Sequence, residues 1–374
     1  MHDVIVVGAG PAGSAAAKRC AQSGLNTLIL EKEVLPRNKV CSGIVLGPVA
    51  DIIIKNEFGN LPESILCQPG YLSGVMSHVV DIGSQRVDNV IALTWRKNLD
   101  YWMNRKALEQ GAKILEGVRF TGLSQEGQGF RVEIEKDKKR SEIQAKFVVG
   151  ADGATSAVRR SVFPELKMKH VFSYQEHYEG KLDLDKKYLH TFRSLGHPPM
   201  RFAVIHKDNL FLLTFTAGAG ELSQGVKPTK DFLSKNYRFD TTQKPVHKEA
   251  CPTSVMHKEL ISRGFTPALG NCLLVGEAGG FNMPVILEGI GLGIKTGLLA
   301  ADSIVKAVET NKQADKFYLA DADNIISIFN EMQPIINRVA EETEHGGHSL
   351  PELLSEAARS AIRRYESYTI DGGR

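Results

Sequence analysis

The chain opens with Val4-Ile5-Val6-Val7-Gly8-Ala9-Gly10-Pro11-Ala12-Gly13, and this stretch decides its architecture. Four consecutive aliphatic residues read as a buried strand, and three spaced glycines follow at once. A helix of small residues then runs through Ala15-Ala16-Ala17, Gly24 turns the chain, and Asn26-Thr27-Leu28-Ile29-Leu30-Glu31 forms a second strand, completing a βαβ unit. Each glycine has a mechanical reason. Gly8 permits the tight turn, Gly10 lets a pyrophosphate approach the backbone, and Gly13 with Ala17 lets the helix lie close to the strand. Amides at the helix start then face the phosphates. Glu31, ending the second strand, accepts hydrogen bonds from ribose hydroxyls and repels a 2′-phosphate, so FAD or NAD is favoured over NADP. A degenerate Rossmann unit holding no ligand is the competing reading.

Working outward, 374 residues exceed what one hydrophobic core organises, and 42% hydrophobic residues suffice for two lobes. With 46 Lys+Arg against 43 Asp+Glu the net charge is +3, too balanced to advertise a nucleic-acid surface. Cys20, Cys41, Cys67, Cys251 and Cys272 are odd in number and contain no CxxC, which argues against a disulfide framework or a structural zinc site and for a reducing compartment. No His/Asp/Glu cluster has metal-ligand spacing. The opening aliphatic run is short and lacks a basic leader, so it reads as a strand and not a signal peptide. No segment approaches the ~20 apolar residues that span a bilayer. The expected location is cytoplasmic, in solution or peripheral to a membrane surface.

Two later glycine turns separate FAD from NAD. Arg131 to Glu135, the Lys136-Asp137-Lys138-Lys139-Arg140 run and Ile143 onward predict a hairpin with a solvated tip. It leads into Phe147-Val148-Val149-Gly150-Ala151-Asp152-Gly153-Ala154-Thr155-Ser156, a buried strand and a capped helix start. Leu273-Leu274-Val275-Gly276-Glu277-Ala278-Gly279-Gly280 is again a strand ending in a turn, and a glycine-punctuated helix follows from Glu288 to Ala301. Alternation of aromatic and β-branched residues from Val171 to Cys251 predicts an antiparallel sheet placed to roof a cofactor ring, with Tyr71 to Ile91 adding strands; most of its aromatics are expected to be plain core. From Lys312 onward, Phe317, Ile325, Phe329, Met332 and Ile336 keep helical spacing up to a break at Gly346-Gly347, and a further helix runs to Tyr368, a tail expected to pack against the body.

The trio of glycine turns resembles the FAD-dependent oxidoreductases of the p-hydroxybenzoate hydroxylase fold, and within them the geranylgeranyl reductase family. The resemblance implies an α/β Rossmann-like FAD-binding domain, an antiparallel β-sheet substrate domain and a C-terminal helical segment. The expected boundaries are 1-70, 92-165 and 266-310 for the FAD domain, 71-91 and 166-265 for the substrate domain, and 311-374 for the helices. It also implies that the Gly150-Ala151-Asp152-Gly153 turn lies near the flavin pyrophosphate, that Gly276-Glu277 holds the ribityl chain, and that Arg96, in Trp95-Arg96-Lys97-Asn98-Leu99-Asp100, lies against the cofactor. Three departures stand out. Glu277 replaces the usual aspartate, Lys39-Val40-Cys41-Ser42-Gly43-Ile44 keeps only the cysteine and first glycine of the family loop, and Leu287 replaces a glycine before Glu288-Gly289-Ile290. The expected cofactor-binding set is Gly8, Gly10, Pro11, Ala12, Gly13, Glu31, Lys32, Cys41, Ser42, Gly43, Arg96, Val118, Asp152, Gly153, Gly276, Glu277, Gly289 and Ile290.

A reduced flavin concentrates charge at one edge, which a helix N-terminus stabilises, and the Gly289-Ile290 amides are the candidates. Saturating an unactivated double bond also needs a proton donor beside an apolar pocket, and Cys41 is the catalytic candidate, against the reading of a small buried hydrophobe. His78, His177, His190 and His206 receive no role. The leading expectation is therefore reduction of carbon–carbon double bonds in a prenyl or polyene-like hydrophobic substrate, with electrons from an external donor, either NAD(P)H or a reduced carrier protein. No second nucleotide fingerprint exists for a resident nicotinamide. The alternatives are an oxygen-using hydroxylase or epoxidase, an electron-transfer flavoprotein serving a quinone, and a flavin sensor without turnover. A halogenase is disfavoured by the absence of a Gly-Trp-x-Trp-x-Ile-Pro stretch and its lysine.

Overall fold

In the computed structural model, which describes residues 1–195, 200–218 and 220–371, the opening aliphatic run becomes the strand His2–Val7, with Val4, Ile5 and Val6 wholly buried. It pairs in parallel with Thr27–Glu31 on one side and Lys139–Gly150 on the other. Lys113–Glu116 and Cys272–Leu274 extend this parallel core at either flank; Gly129–Lys136 with Lys139–Gly150 forms the expected charged hairpin, and Arg119–Glu126 pairs antiparallel to its outer strand. A parallel sheet brings the carboxyl ends of its strands to one edge, where open α/β folds bind ligands. That edge collects the residues after Val7, Glu31, Gly150 and Leu274, so three distant glycine turns emerge side by side.

Helices cover this sheet. The opening helix Pro11–Gln22 is lined by Ala12, Ala15, Ala16 and Ala17, and the helix Ile290–Thr310 lies across it, so close that a Cβ on Gly297 would collide with the Ala12 carbonyl. Small residues on both partners let the two backbones approach, and the contact buries Leu292, Ile294 and Ala300 in the main core.

The second lobe is an eight-stranded sheet, largely antiparallel, whose strands come from 44–94 and 170–254. Its aromatic alternation resolves as core: Tyr178, Phe192, Phe202, Phe211 and Phe215 turn to one face and are buried with Leu233 and Phe239 around the helix Leu222–Tyr237. The opposite face, carrying Ile205 and Leu212, packs with Leu72, Ile91 and Leu93, and with partly buried Trp95, Ile286 and Ile362. The tail forms the helices Asp315–His345 and Leu350–Asp371, broken at Gly346 and Gly347. It packs against the body: the Tyr318 hydroxyl donates to the Leu274 carbonyl at 2.8 Å, and Leu350, Leu353 and Ala357 bury Val79. Among the described residues no helix is long and apolar enough to cross a membrane.

Candidate functional site

The three glycine turns touch one another. Gly8 has φ +106°, and a Cβ there would stand 2.5 Å from the Ala151 oxygen, while a Cβ on Gly13 would collide with the Gly8 carbonyl. Gly276, at φ +54°, leaves 3.2 Å between its missing Cβ and Ala12 and 3.4 Å to Gly293. Arg159 fixes the second turn to the third. Its buried guanidinium donates to the Ala278 and Glu277 carbonyls at 2.7 and 3.3 Å and to the Ala154 carbonyl at 2.5 Å. Sequence reasoning passed over Arg159, because nothing local distinguishes it from exposed Arg160. Asp152 turns inward to its own helix: its carboxylate accepts from the Ser156 hydroxyl at 2.5 Å and from the Ala157 and Val158 amides at 2.6 and 3.2 Å. Burial pushes its pKa up against those hydrogen bonds. Gly153, at φ +77°, faces open space.

At the opening helix, Pro11 occupies the first turn and Gly10 supplies no side-chain cap, which leaves the helix amides for a ligand. Two guanidiniums flank this point. The nearest atoms to a Cβ built on Gly10 are Arg37 Nη2 at 3.8 Å and Arg96 Nη2 at 4.0 Å. Both are anchored from behind by Asp100: Arg96 makes a two-pronged pair with it at 2.7 and 2.9 Å, and Arg37 Nη1 approaches it at 3.2 Å. Arg37 Nη1 is buried with no hydrogen-bond partner. Glu31, 3% exposed, accepts from the Ala9 amide at 3.0 Å and the Glu33 amide at 3.1 Å, and pairs with Arg37 Nε at 3.3 Å. The Val118 amide donates to the Glu31 carbonyl at 2.9 Å, whereas Lys32 stands exposed beyond the turn. Arg37 was missed in the sequence; a basic residue shortly after an acidic strand end is the signal that points to it.

The Cys41 loop closes the far side. Cys41 is half-buried; its thiol takes a long hydrogen bond, 3.4 Å, from the Gly43 amide and faces the Arg96 guanidinium. Burial draws the Arg96 pKa down, yet Asp100 and Cys41 outweigh it and hold the group above its ordinary value. Ser42 contributes its carbonyl to Lys207 Nζ at 2.8 Å, and the Thr94 amide and hydroxyl both bond the Gly43 carbonyl, at 2.9 and 2.8 Å. Glu277 faces Lys39, Arg96 and Arg159; burial raises its pKa and these cations oppose the rise.

The helix Ile290–Thr310 begins differently from expectation. The Glu288 carboxylate folds over its N-terminus, accepting from the Gly291 amide at 2.6 Å and the Leu292 amide at 3.4 Å, with the Ile290 amide facing the same group. An acid just before this helix start thus satisfies the Gly291 and Leu292 amides, next to the Gly289 and Ile290 amides expected to face a flavin edge. Leu287, where the family pattern has glycine, adopts φ +50° and is 41% exposed.

This donor set fits a dinucleotide pyrophosphate: an uncapped helix start, two guanidiniums and a glycine that leaves room between them. A nucleotide-binding lobe of three converging turns, roofed by an antiparallel sheet, defines an FAD-dependent oxidoreductase. The chain belongs to the FAD binding domain family, whose model matches residues 65–294, and a second FAD binding domain model matches residues 3–43. It is 27% identical over 327 residues, 84% of this chain and 77% of the relative, to digeranylgeranylglycerophospholipid reductase 1 of Methanococcoides burtonii. It is 23% identical over 342 residues, 85% of this chain and 80% of the relative, to the 1H-pyrrole-2-carbonyl-[peptidyl-carrier protein] brominase of Pseudoalteromonas luteoviolacea. A geranylgeranyl bacteriochlorophyll reductase-like protein of Thermoplasma acidophilum shares the fold with a TM-score of 0.77 at 20% identity, covering 99% of this chain and 96% of that one. The resemblance to geranylgeranyl reductases is thus borne out at the level of family and fold, and FAD is the cofactor.

Proposed function

We propose that this flavoenzyme reduces carbon–carbon double bonds in a prenyl or otherwise hydrophobic substrate. The observation that carries the reading is the half-buried thiol of Cys41, facing Arg96 at the rim of the cradle that Gly10, Arg37 and Arg96 form. FAD supplies the hydride equivalent. On this reading the opening helix with Arg37 and Arg96 binds the pyrophosphate, Glu31 holds a ribose, Glu277 faces the ribityl chain, and Gly289 keeps an amide toward the ring. Cys41 delivers the proton to the carbon that the hydride does not attack, and the thiol is restored from solvent. Named reductase relatives support the substrate class. Electrons come from outside, from NAD(P)H or a reduced carrier protein. Five free cysteines suit work in a reducing compartment, in solution or against a membrane surface.

Anaerobic mixing of the chemically reduced enzyme with a polyprenyl lipid should reoxidise the flavin and yield a product heavier by two hydrogens per bond. Failure across a broad panel of alkenes sinks the proposal. Unchanged turnover in Cys41→Ala removes the thiol from the reaction while leaving the substrate class intact. The brominase relative favours a second reading, oxygen-dependent chemistry on the same cradle. Substrate-coupled oxygen consumption, with or without halide incorporation, selects it.

A further inference from the structure

Lys207 ends a strand of the substrate sheet, has no exposed surface, and no carboxylate lies in ion-pair range of it among the described residues. The adjacent Asp208 is occupied elsewhere, accepting from the Trp95 indole and the Gln68 amide, each at 2.8 Å. The ammonium of Lys207 instead donates to the Ser42 carbonyl at 2.8 Å and the Thr94 carbonyl at 2.7 Å, and lies 4.0 Å from the centre of the Trp95 ring. Burying a cation costs several times what a methionine of similar volume costs at the same place, so packing alone does not account for it. What only the ammonium supplies is simultaneous donation to two backbone segments. One is the Cys41–Gly43 loop; the other leads through Trp95 into Arg96, whose guanidinium faces Cys41. A Cβ on Gly43 would collide with the Thr94 carbonyl, so the two segments already touch, and Lys207 Nζ stands 3.1 Å from that same point.

We propose that Lys207 is a positioning residue: by clamping the Ser42 and Thr94 carbonyls it holds the Cys41 thiol and the Arg96 guanidinium in register, so that the substrate sheet sets the geometry of proton delivery. The functional half rests on the reading of Cys41 given above. Cation–π contact with Trp95 and two charge-assisted hydrogen bonds hold the ammonium itself in place.

The test compares holoenzymes of the wild type, Lys207→Met and Lys207→Gln, the last keeping an amide that donates to both carbonyls. Amide exchange in residues 41–46 and at Thr94 should quicken at least about tenfold in Lys207→Met and stay within about threefold of wild type in Lys207→Gln, with the parallel sheet unchanged in both. Reoxidation of the dithionite-reduced enzyme by a polyprenyl alkene should slow by about tenfold or more in Lys207→Met, recover in Lys207→Gln, and stay within about twofold when a small quinone is the oxidant. Native exchange in Lys207→Met overturns the proposal. So do equal losses in both variants, an alkene rate unchanged beside a loosened loop, or a quinone rate that falls in step. Should Lys207→Met lose its flavin, Lys207→Gln decides: native exchange and alkene rate support the clamp, and their loss overturns it. If even the wild type reduces no alkene, the proposed substrate class falls, and the exchange measurement still judges the clamp.

Discussion

Replacing Gly10 by alanine isolates cofactor binding from folding. Gly10 has φ −81° and ψ −176°, an extended conformation open to any residue. The new methyl would meet nothing closer than Arg37 Nη2 at 3.8 Å and Arg96 Nη2 at 4.0 Å, ordinary contact distances. The apo protein should therefore keep its stability within about 0.5 kcal/mol, or gain slightly from a stiffer unfolded chain. The same methyl occupies the approach by which a pyrophosphate reaches the helix amides. Losing one charge-assisted hydrogen bond costs about 1.5–3 kcal/mol, which weakens FAD binding about 10- to 150-fold. The assay removes the cofactor, titrates FAD against both apo proteins by flavin fluorescence, and melts both apo proteins in parallel. Gly13→Ala is the companion, since its methyl collides with the Gly8 carbonyl and should destabilise the fold itself by about 1–3 kcal/mol or more. An FAD affinity in Gly10→Ala within about threefold of wild type, or a comparable fall in melting temperature for both variants, would refute the assignment of Gly10 to the phosphate approach.

Arg159→Met takes the donor from the Ala278 and Ala154 carbonyls and should cost about 3 kcal/mol in urea unfolding, whereas the exposed Arg160→Ala should stay within about 0.5 kcal/mol. His206 is 3% exposed and accepts the Leu182 amide on Nε2, and burial pushes its pKa down to about 4. The unfolded histidine binds its proton near pH 6.5, so the stability His206 contributes is complete above that pH and is lost as pH falls toward 4. Half-buried Asp152 and buried Glu288 shift upward and act with the opposite sign, so the clean measurement is the difference between wild type and His206→Gln in urea. That difference should shrink by on the order of 2 kcal/mol between pH 7.5 and pH 4.5, and a constant difference contradicts the assignment. Leu287→Gly should be neutral or stabilising by up to about 1 kcal/mol, because the left-handed backbone there suits glycine, while Leu287→Val should lower the melting temperature.

The parallel lobe was legible because its information is local: four aliphatic residues, a glycine turn, and an acid at the end of the next strand each announce themselves within a few positions. The convergence of Gly8, Ala151 and Gly276 was also readable, since strands of one parallel sheet must end on one edge. What escaped were side-chain partnerships across long separations. Arg37 reaching Asp100, Arg159 joining two turns, and Lys207 reaching Ser42 each depend on how segments distant in sequence pack together, and periodicity carries no such information. The Glu288 cap escaped for a different reason. Glu288-Gly289-Ile290 fits a helix start whose amides are free as well as one whose amides are taken, and only the rotamer of a single carboxylate separates the two. The aromatic stripe was correctly weighted as core, because the alternation fixed two faces even though it did not say which one Leu222–Tyr237 would cover.

The seam between the Pro11–Gln22 and Ile290–Thr310 helices has a consequence for biosynthesis. The ribosome releases the first of these early and the second only after almost the whole substrate sheet has emerged. Until then the Ala12 flank has no mate, and the strand Cys272–Leu274 has not joined the growing sheet. The third glycine turn is therefore the last part of the cradle to be made, and it meets the first only when the C-terminal third docks onto the beginning.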